Sequence, residues 1–576
     1  MNDTSTNTAA PAAQPSAAEA AAAGTPTPST APGGAPAEKP DPYPRRYQWT
    51  LVDTKGIREF PGWLHGDPEI WAYTDKITYD AGDEVQLRAH TNCEKFSVHI
   101  YRESNTPQTV LRKEGIRGIH QHTPDDASIK GCGWKPAFSF KTHDWQPGVY
   151  IIVLNATDTQ GKTAQGEHFV VIRSRRPGST SKLCVILTTC TYTAYNDWGG
   201  ANHYRSIRDG IATDTMEPKL SLNRPWGRGF VVRPAEAPDV LESTTPPPFW
   251  KPSYPEVLWP LANNYSRHYV EGYSTYAARF IRWAEANGYA LEVATQYDLH
   301  LKPDSFKDYT CLIVLGHDEY WSWEMRDTID HFVNEGGHIA RFAGNFFWQI
   351  RLEDGGQTQV CYKDADKDPV ADRTRVTISW DAKITTRPSP QTFGLRAEGY
   401  CRYGTTTPRS SGGFTVYRPW HWALANTDLY YGDVFGRAPV NVFGFEVDGL
   451  DYRIANGLPQ PTGLDNPPEG IQIIAMALSA FSEIDRWNGT VMMNSALRPG
   501  RRRRKDSDYF KAGARPPEPG GETIGAVGAG MIAYFERQKG SVFNAGSPTW
   551  VRGLEMDDFF TQQITKNVLD RFGHLG

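Results

Sequence analysis

The sequence predicts an α/β domain of the doubly wound kind preceded by a smaller immunoglobulin-like β-sandwich. Three observations lead there. Residues 63–172 alternate apolar and polar side chains with no helical run. From residue 182 onward, continuous apolar strands alternate with amphipathic helices. Between the two lies "RSRRPGSTS" (173–181), whose composition reads as a linker.

The sandwich reading rests on period-two patterning. In "DEVQLRAH" Val85, Leu87 and Ala89 alternate with polar neighbours, and in "KFSVHIYR" Phe96, Val98 and Ile100 do the same. "PGVYIIVLNATDTQGKTAQGEHFVVIR" reads as two strands joined through a turn at Asp158-Thr159-Gln160-Gly161. Short strands at this spacing fit an immunoglobulin-like module. In the second part, "KLCVILTT" (182–189) is an apolar strand of the kind buried on both faces of a parallel sheet. "TYAARFIRWAEANG" puts Tyr276, Phe280, Trp283 and Ala284 on one helical face and stops at Asn287-Gly288. Strands follow at "YALEVAT", "YTCLIVL" and "HIARFAG". A helix over 322–335 is capped at Ser322 and turns Met325, Ile329, Phe332 and Val333 inward. Near the end come "GMIAYF", "GSVFNAGS" and a last helix with Phe560, Ile564, Val568 and Leu569 on its buried side. This alternation predicts the doubly wound architecture. Residues 350–470 are irregular and predict no regular element.

The predicted boundaries are a disordered Ala/Pro/Thr-rich tail over 1–45, the β-sandwich over 46–175 and the α/β domain over 176–576. The tail has too little apolar content to offset the entropy of ordering, and it lacks the basic start and apolar core of a secretory signal. A net charge of -5 from 61 basic and 66 acidic residues leaves no electrostatic footprint for nucleic acid or a membrane surface. No apolar run approaches the roughly 20 residues needed to span a bilayer. Seven scattered cysteines form no CxxC pair and read as buried side chains in a reducing compartment, so a cytoplasmic location is expected.

Ligands of open α/β sheets gather beyond the carboxyl ends of the strands. Three such ends carry unusual residues here: "CTYTAYNDWGGANHYRS" (190–206), "GHDEYW" (316–321) and "GNFFW" (344–348). Residues two apart on extended backbone share a face, so His317 and Glu319 should point together with Asp318 turned away. The turn offers no thiol where a glutamine-amidotransferase-like fold would carry its nucleophile, so a Cys or Ser triad is poorly supported. Phenols and carboxylates are hard oxygen donors that suit a highly charged cation, and two phenolates with one carboxylate would neutralise a trivalent iron. A phenol ionises near neutrality only beside such a cation.

These segments, with "SLNRPWGRGF", "GHDEYWSWEMR…GG…GN…W" and the closing "GSVFNAGSPTWVRGL", resemble the catalytic domain of the N,N-dimethylformamidase large (beta) subunit family over roughly 180–576. The resemblance implies a glutamine-amidotransferase-like fold and a mononuclear iron, Fe3+, bound by two tyrosinates and a glutamate, which hydrolyses a small amide. Carried over, Glu319 and Tyr195 match two ligands, and Tyr254 in "KPSYPEV" is the candidate for the second tyrosinate, since Trp226 follows Arg224-Pro225. His317 and Asn345 match positions that polarise substrate, and Glu446 in "VFGFEVDG" matches the family's additional acidic residue, which the resemblance implies as general base. A small companion subunit and a homo- or hetero-oligomer are the partners this family likeness suggests. The chain departs from the family at its N-terminus, where one immunoglobulin-like module replaces a larger lectin-like region. Two other readings stay open: a non-catalytic binding protein with a degenerate amidotransferase-like domain, and a sugar-active enzyme of the same fold. Metal analysis would separate them.

Overall fold

In the computed structural model, residues 66–208, 211–213, 216–238, 259–260, 263, 265–397, 412–444, 446–480 and 527–574 are described. The chain divides into units at 1–47 and 48–576. The first unit, with the predicted tail, lies outside the described residues.

The alternating segment of the sequence forms eight strands: β1 Ile70–Thr74, β2 Thr78–Asp80, β3 Glu84–Thr91, β4 Lys95–Arg102, β5 Gln108–Arg117, β6 Phe138–Lys141, β7 Gly148–Thr157 and β8 Thr163–Arg173. They make a three-stranded sheet, β1-β3-β6, and a five-stranded sheet, β2-β8-β7-β4-β5. Val85 and Leu87 from the first, with Val98, Ile100, Tyr150, Ile152 and Ile172 from the second, share one core. The turn between β7 and β8 closes as the sequence suggests, with Gly161 at φ 83° and its N–H donating to Asp158 O at 3.2 Å.

Residues 148–152 of β7 and 166–172 of β8 are buried on both faces. Val149, Ile151, Phe169 and Val171 point away from the sandwich core and join the large core of the following part. Ion pairs reinforce this seam: Arg102 to Glu285 at 2.9 Å, Arg282 to Glu103 at 2.9 Å and Arg173 to Asp298 at 3.1 Å. The bridge at 173–181 is bound down, unlike a free linker. Gly178 N and Thr180 N donate to the buried carboxylate of Glu292 at 3.1 and 2.9 Å.

Among the described residues nine strands form the central sheet: β9 Leu183–Leu187, β10 Glu292–Thr295, β11 Cys311–His317, β12 His338–Gly344, β13 Phe414–Val416, β14 Val434–Phe435, β15 Gln472–Ala480, β16 Val527–Arg537 and β17 Gly540–Asn544. Their order is β10-β9-β11-β12-β17-β16-β15-β13-β14. The strands from β10 to β17 in that order run parallel, and those beyond β17 continue antiparallel. β9, β11 and β12 are buried along their whole length, as continuous apolar runs require. Helix α1 (Thr189–Tyr195) leaves β9, α2 (Ala277–Ala286) precedes β10, α3 (Trp323–Asn334) joins β11 to β12, and α4 (Phe559–His574) closes the chain. Ser322 caps α3 by accepting from Met325 N at 3.2 Å, so neither acid of "GHDEYW" is consumed as the cap. The six cysteines among the described residues are buried and unbonded. No described helix is long and apolar enough to cross a membrane.

Candidate active site

Because β9, β11 and β12 are parallel neighbours, their carboxyl ends open on one edge of the sheet, and the three chemically loaded segments meet there. At the end of β11, Gly316 adopts φ 71°, and a Cβ on it would fall 2.2 Å from Cγ of Tyr276, so only glycine fits. The chain then turns, and Glu319 N donates to Thr191 Oγ1 of α1 at 3.0 Å. Asp318 faces the other way, as two-residue periodicity predicts. Arg341 grips it from Nε at 2.8 Å and reaches Asp448 at 2.7 Å, with all three side chains fully buried. Asp448 in turn accepts Asn345 N at 2.8 Å and holds that residue in the left-handed region at φ 66°. Asp318 and Asp448 are therefore scaffold, and Asn345 is what they aim.

Two phenols converge on Glu319. Tyr195, at the end of α1, donates to Glu319 Oε2 at 2.9 Å. Tyr204 donates to the same oxygen at 2.9 Å and lies 2.8 Å from Tyr195 Oη. Asn202 sets this pair: its side chain donates to Tyr195 O at 3.1 Å and accepts Tyr204 N at 2.8 Å, folding the loop so that the two rings stack 4.6 Å apart. Tyr320 adds a third hydroxyl, 2.7 Å from Tyr204 Oη, and Trp348 Nε1 donates to Glu319 Oε1 at 2.8 Å. The Lys363 ammonium sits 3.4 Å from the Tyr204 ring centroid. Burial, and then the Glu319 carboxylate, push the Tyr195 and Tyr204 hydroxyls well above their ordinary range. Both are protonated phenols unless a cation replaces their protons. Burial also raises Glu319, against the pull of His317 and Lys363.

Beside this cluster, His317 links three carboxylates. Its Nδ1 lies 2.6 Å from Glu271 Oε2, and its Nε2 lies 3.1 Å from Glu446 Oε2 and 3.8 Å from Glu319 Oε2. Burial alone would lower the imidazole, but Glu271, Glu446 and Glu319 outweigh it and raise it well above its ordinary value. Asn345 Nδ2 is 3.0 Å from His317 Nε2 and donates to Glu446, while its Oδ1 has no hydrogen-bond partner among the described residues. Gly344 lets the 446 segment approach, since a Cβ there would lie 2.7 Å from Glu446 O.

Of the residues expected from sequence, Tyr195, His317, Glu319, Asn345 and Glu446 come together, and Tyr254 lies outside the described residues. His317, Glu319 and Glu446 place one ligand atom each within 4.8 Å of one another, and this buried group could hold a metal ion. The donor set of Tyr195, Tyr204 and Glu319 also fits a hard trivalent cation, because three oxygens that share protons here would together carry three negative charges once deprotonated. Sequence reasoning missed Tyr204 and Glu271. Tyr204 stood in the same aromatic loop as Tyr195 and could have been weighed on that ground. Glu271 sits in a single helical turn, Tyr269–Glu271, with no local pattern to mark it.

No curated protein matches the chain. Among solved structures, murine CRIg aligns with 19% of this chain and 98% of its own at 13% identity and a TM-score of 0.14. Superoxide reductase (neelaredoxin) from Ignicoccus hospitalis aligns with 21% of this chain and 96% of its own at 13% identity and a TM-score of 0.12. Likenesses this slight bear on neither fold nor function. Residues 98–565, a span that starts within β4 and includes the whole cluster around Glu319, match the family described as N,N-dimethylformamidase beta subunit-like, C-terminal, and the chain belongs to that family.

Proposed function

We propose that the protein is an iron-dependent amidohydrolase that cleaves a small amide such as N,N-dimethylformamide to formate and dimethylamine. The observation that carries this reading is the convergence of Tyr195, Tyr204 and a carboxylate oxygen of Glu319 within 2.9 Å of one another. These three residues would hold a ferric ion, with Tyr204 as the second phenolate. Bound there, such an ion supplies Lewis acidity that polarises a carbonyl and lowers the pKa of water toward neutrality.

The chain's own groups do the rest. Glu271 fixes the imidazole of His317 through Nδ1, so that Nε2 faces the reacting side. Asn345 Nδ2 and a protonated His317 Nε2 donate to the oxygen of the amide carbonyl as negative charge develops on it. Glu446 accepts the proton of the attacking water and returns it to the amine nitrogen as the C–N bond breaks. Water thus provides the hydroxyl of the acid and the hydrogen of the amine, and no redox partner is required.

The test is metal analysis of the purified protein together with release of dimethylamine from N,N-dimethylformamide. One iron per chain, a broad visible phenolate band and amide turnover are expected. Iron-free, colourless protein with full hydrolase activity would refute the metal assignment. Iron-loaded protein inert towards every small amide would refute the substrate class, and iron-free protein without hydrolytic activity would favour a binding role.

A further inference from the structure

β8 carries Glu167 and Phe169 on one face, two residues apart, and His168 on the other, where it meets Thr74 Oγ1 at 2.9 Å inside the sandwich. The outward pair grips two loops of the following part. The buried Glu167 carboxylate accepts the backbone N–H groups of Gly229 and Val232. The Phe169 ring stacks on Trp226 at 5.8 Å and on Tyr273 at 5.4 Å. The two loops also hold each other. Ser274 N donates to Phe230 O at 3.0 Å and Ser274 Oγ to Gly229 O at 2.8 Å. Gly272 lies so close that a Cβ would sit 2.4 Å from Phe230 O. The segment clamped in this way presents its other side to the site: the His268 ring meets the Tyr195 ring edge-on at 5.3 Å, and Glu271 takes Nδ1 of His317 at 2.6 Å.

We infer that β8 of the sandwich is a built-in part of the site, and that Glu167 is a positioning residue acting on His317 through the 227–232 loop and Glu271. The sandwich on this account sets the geometry of the imidazole and does more than cover the sheet. A carboxyl group that ties down two backbone donors loses half of that grip when one oxygen becomes an amide NH2, because a carboxylate or hydroxyl oxygen accepts and an amide nitrogen does not, so Glu167→Gln loosens the clamp while keeping its shape.

Two readouts on the full chain test this. The first is hydrogen exchange followed by mass spectrometry, which needs no substrate. Glu167→Gln should speed amide exchange in 227–232 and 266–274 and leave β11 and β12 at wild-type rates. Ser274→Ala, which cuts the clamp at its far end, should speed exchange in 266–274 as well. Unchanged exchange in 266–274 in both variants would overturn the inference. The second readout rests on the proposed hydrolysis and is a double-mutant cycle in kcat. Glu167→Gln should lower kcat about tenfold in the wild-type background with KM held within about twofold, and should have less than about a twofold effect in Glu271→Gln. Equal losses in both backgrounds would show that Glu167 only stabilises the fold. Should the protein hydrolyse no amide, the amidase reading fails, and the exchange experiment still decides the role of Glu167.

Discussion

Removing the β-sandwich should unfold the remainder of the chain, and the structure says by how much. A fragment beginning at residue 176 loses Ile77, Val149, Ile151, Phe169 and Val171 from the large core, all buried. Fully burying such a side chain is worth about 1.5–3 kcal/mol, so the five together contribute on the order of 10 kcal/mol. That figure is an upper one, because a denatured chain already hides part of its apolar surface. It is nevertheless comparable to the ~5–15 kcal/mol net stability of a whole domain. Polar losses add to it: Asp298 would lose Arg173 and the Thr78 hydroxyl that donates to it at 2.9 Å, and the Gly229 and Val232 N–H groups would lose Glu167. The assay is expression of residues 176–576 beside the full chain, with solubility and the thermal melt followed by far-UV circular dichroism. Insoluble protein, or a soluble fragment without a cooperative melt, is expected. A soluble fragment melting within a few degrees of the full chain would refute the reasoning and show that the seam between β7–β8 and the large core is dispensable.

Tyr204→Phe removes one oxygen from the phenol pair and keeps the ring stacked on Tyr195, so most of the visible band should vanish while the melting temperature moves little; an unchanged band would return the second phenolate to Tyr254. Asn345→Ala should keep the metal and lower kcat by about a hundredfold, the usual cost of one donor to a developing oxyanion; loss of the metal instead would make Asn345 structural. Burial, against the Gly229 and Val232 N–H groups and Arg228, pushes Glu167 up to about 8 from its ordinary 4.5. The folded state keeps a proton that the unfolded chain releases between those values, so stability is greatest at the acid end of that window and falls as pH rises through it. Melting temperature should therefore drop between about pH 5 and pH 8.5 in the wild type and drop less in Glu167→Gln; parallel profiles would place the titration elsewhere.

How much of this was legible in the sequence depended on whether the information was local. The strands β9, β11 and β12 and the helices α2 and α3 stand where apolar runs and 3.6-residue periodicity put them, because burial on one or both faces writes itself into neighbouring residues. For the same reason His317, Glu319 and Asn345 could be read at strand ends, and the opposite direction of Asp318 followed from a period of two. Tyr204 and Glu271 were not legible in this way. The position of Tyr204 depends on the Asn202 side chain bridging the two ends of an irregular loop, and that of Glu271 on a turn braced by residues more than forty positions earlier. The bridge at 173–181 has the composition of a free linker, and contacts with distant residues, the Glu292 carboxylate, Asp298 and Ala290 O, make it a fixed strap.

The two-faced burial of β7 and β8 links these cases. Alternation in sequence cannot distinguish a strand with one wet face from a strand whose second face meets another core, when the second set of residues is itself a mixture. In β8 that second face reads Glu167, Phe169, Val171, and a charged residue at its start suggests solvent. The structure instead sets that carboxyl group against two backbone N–H groups of a loop whose own Arg228 lies over the Trp71 ring. A buried acid is costly unless paired, and here its partners lie in the part of the chain that carries the site. The position that looked least like core is therefore the one that couples the sandwich to His317, which is why the functional geometry of this chain belongs to the seam between its parts as much as to the strand ends.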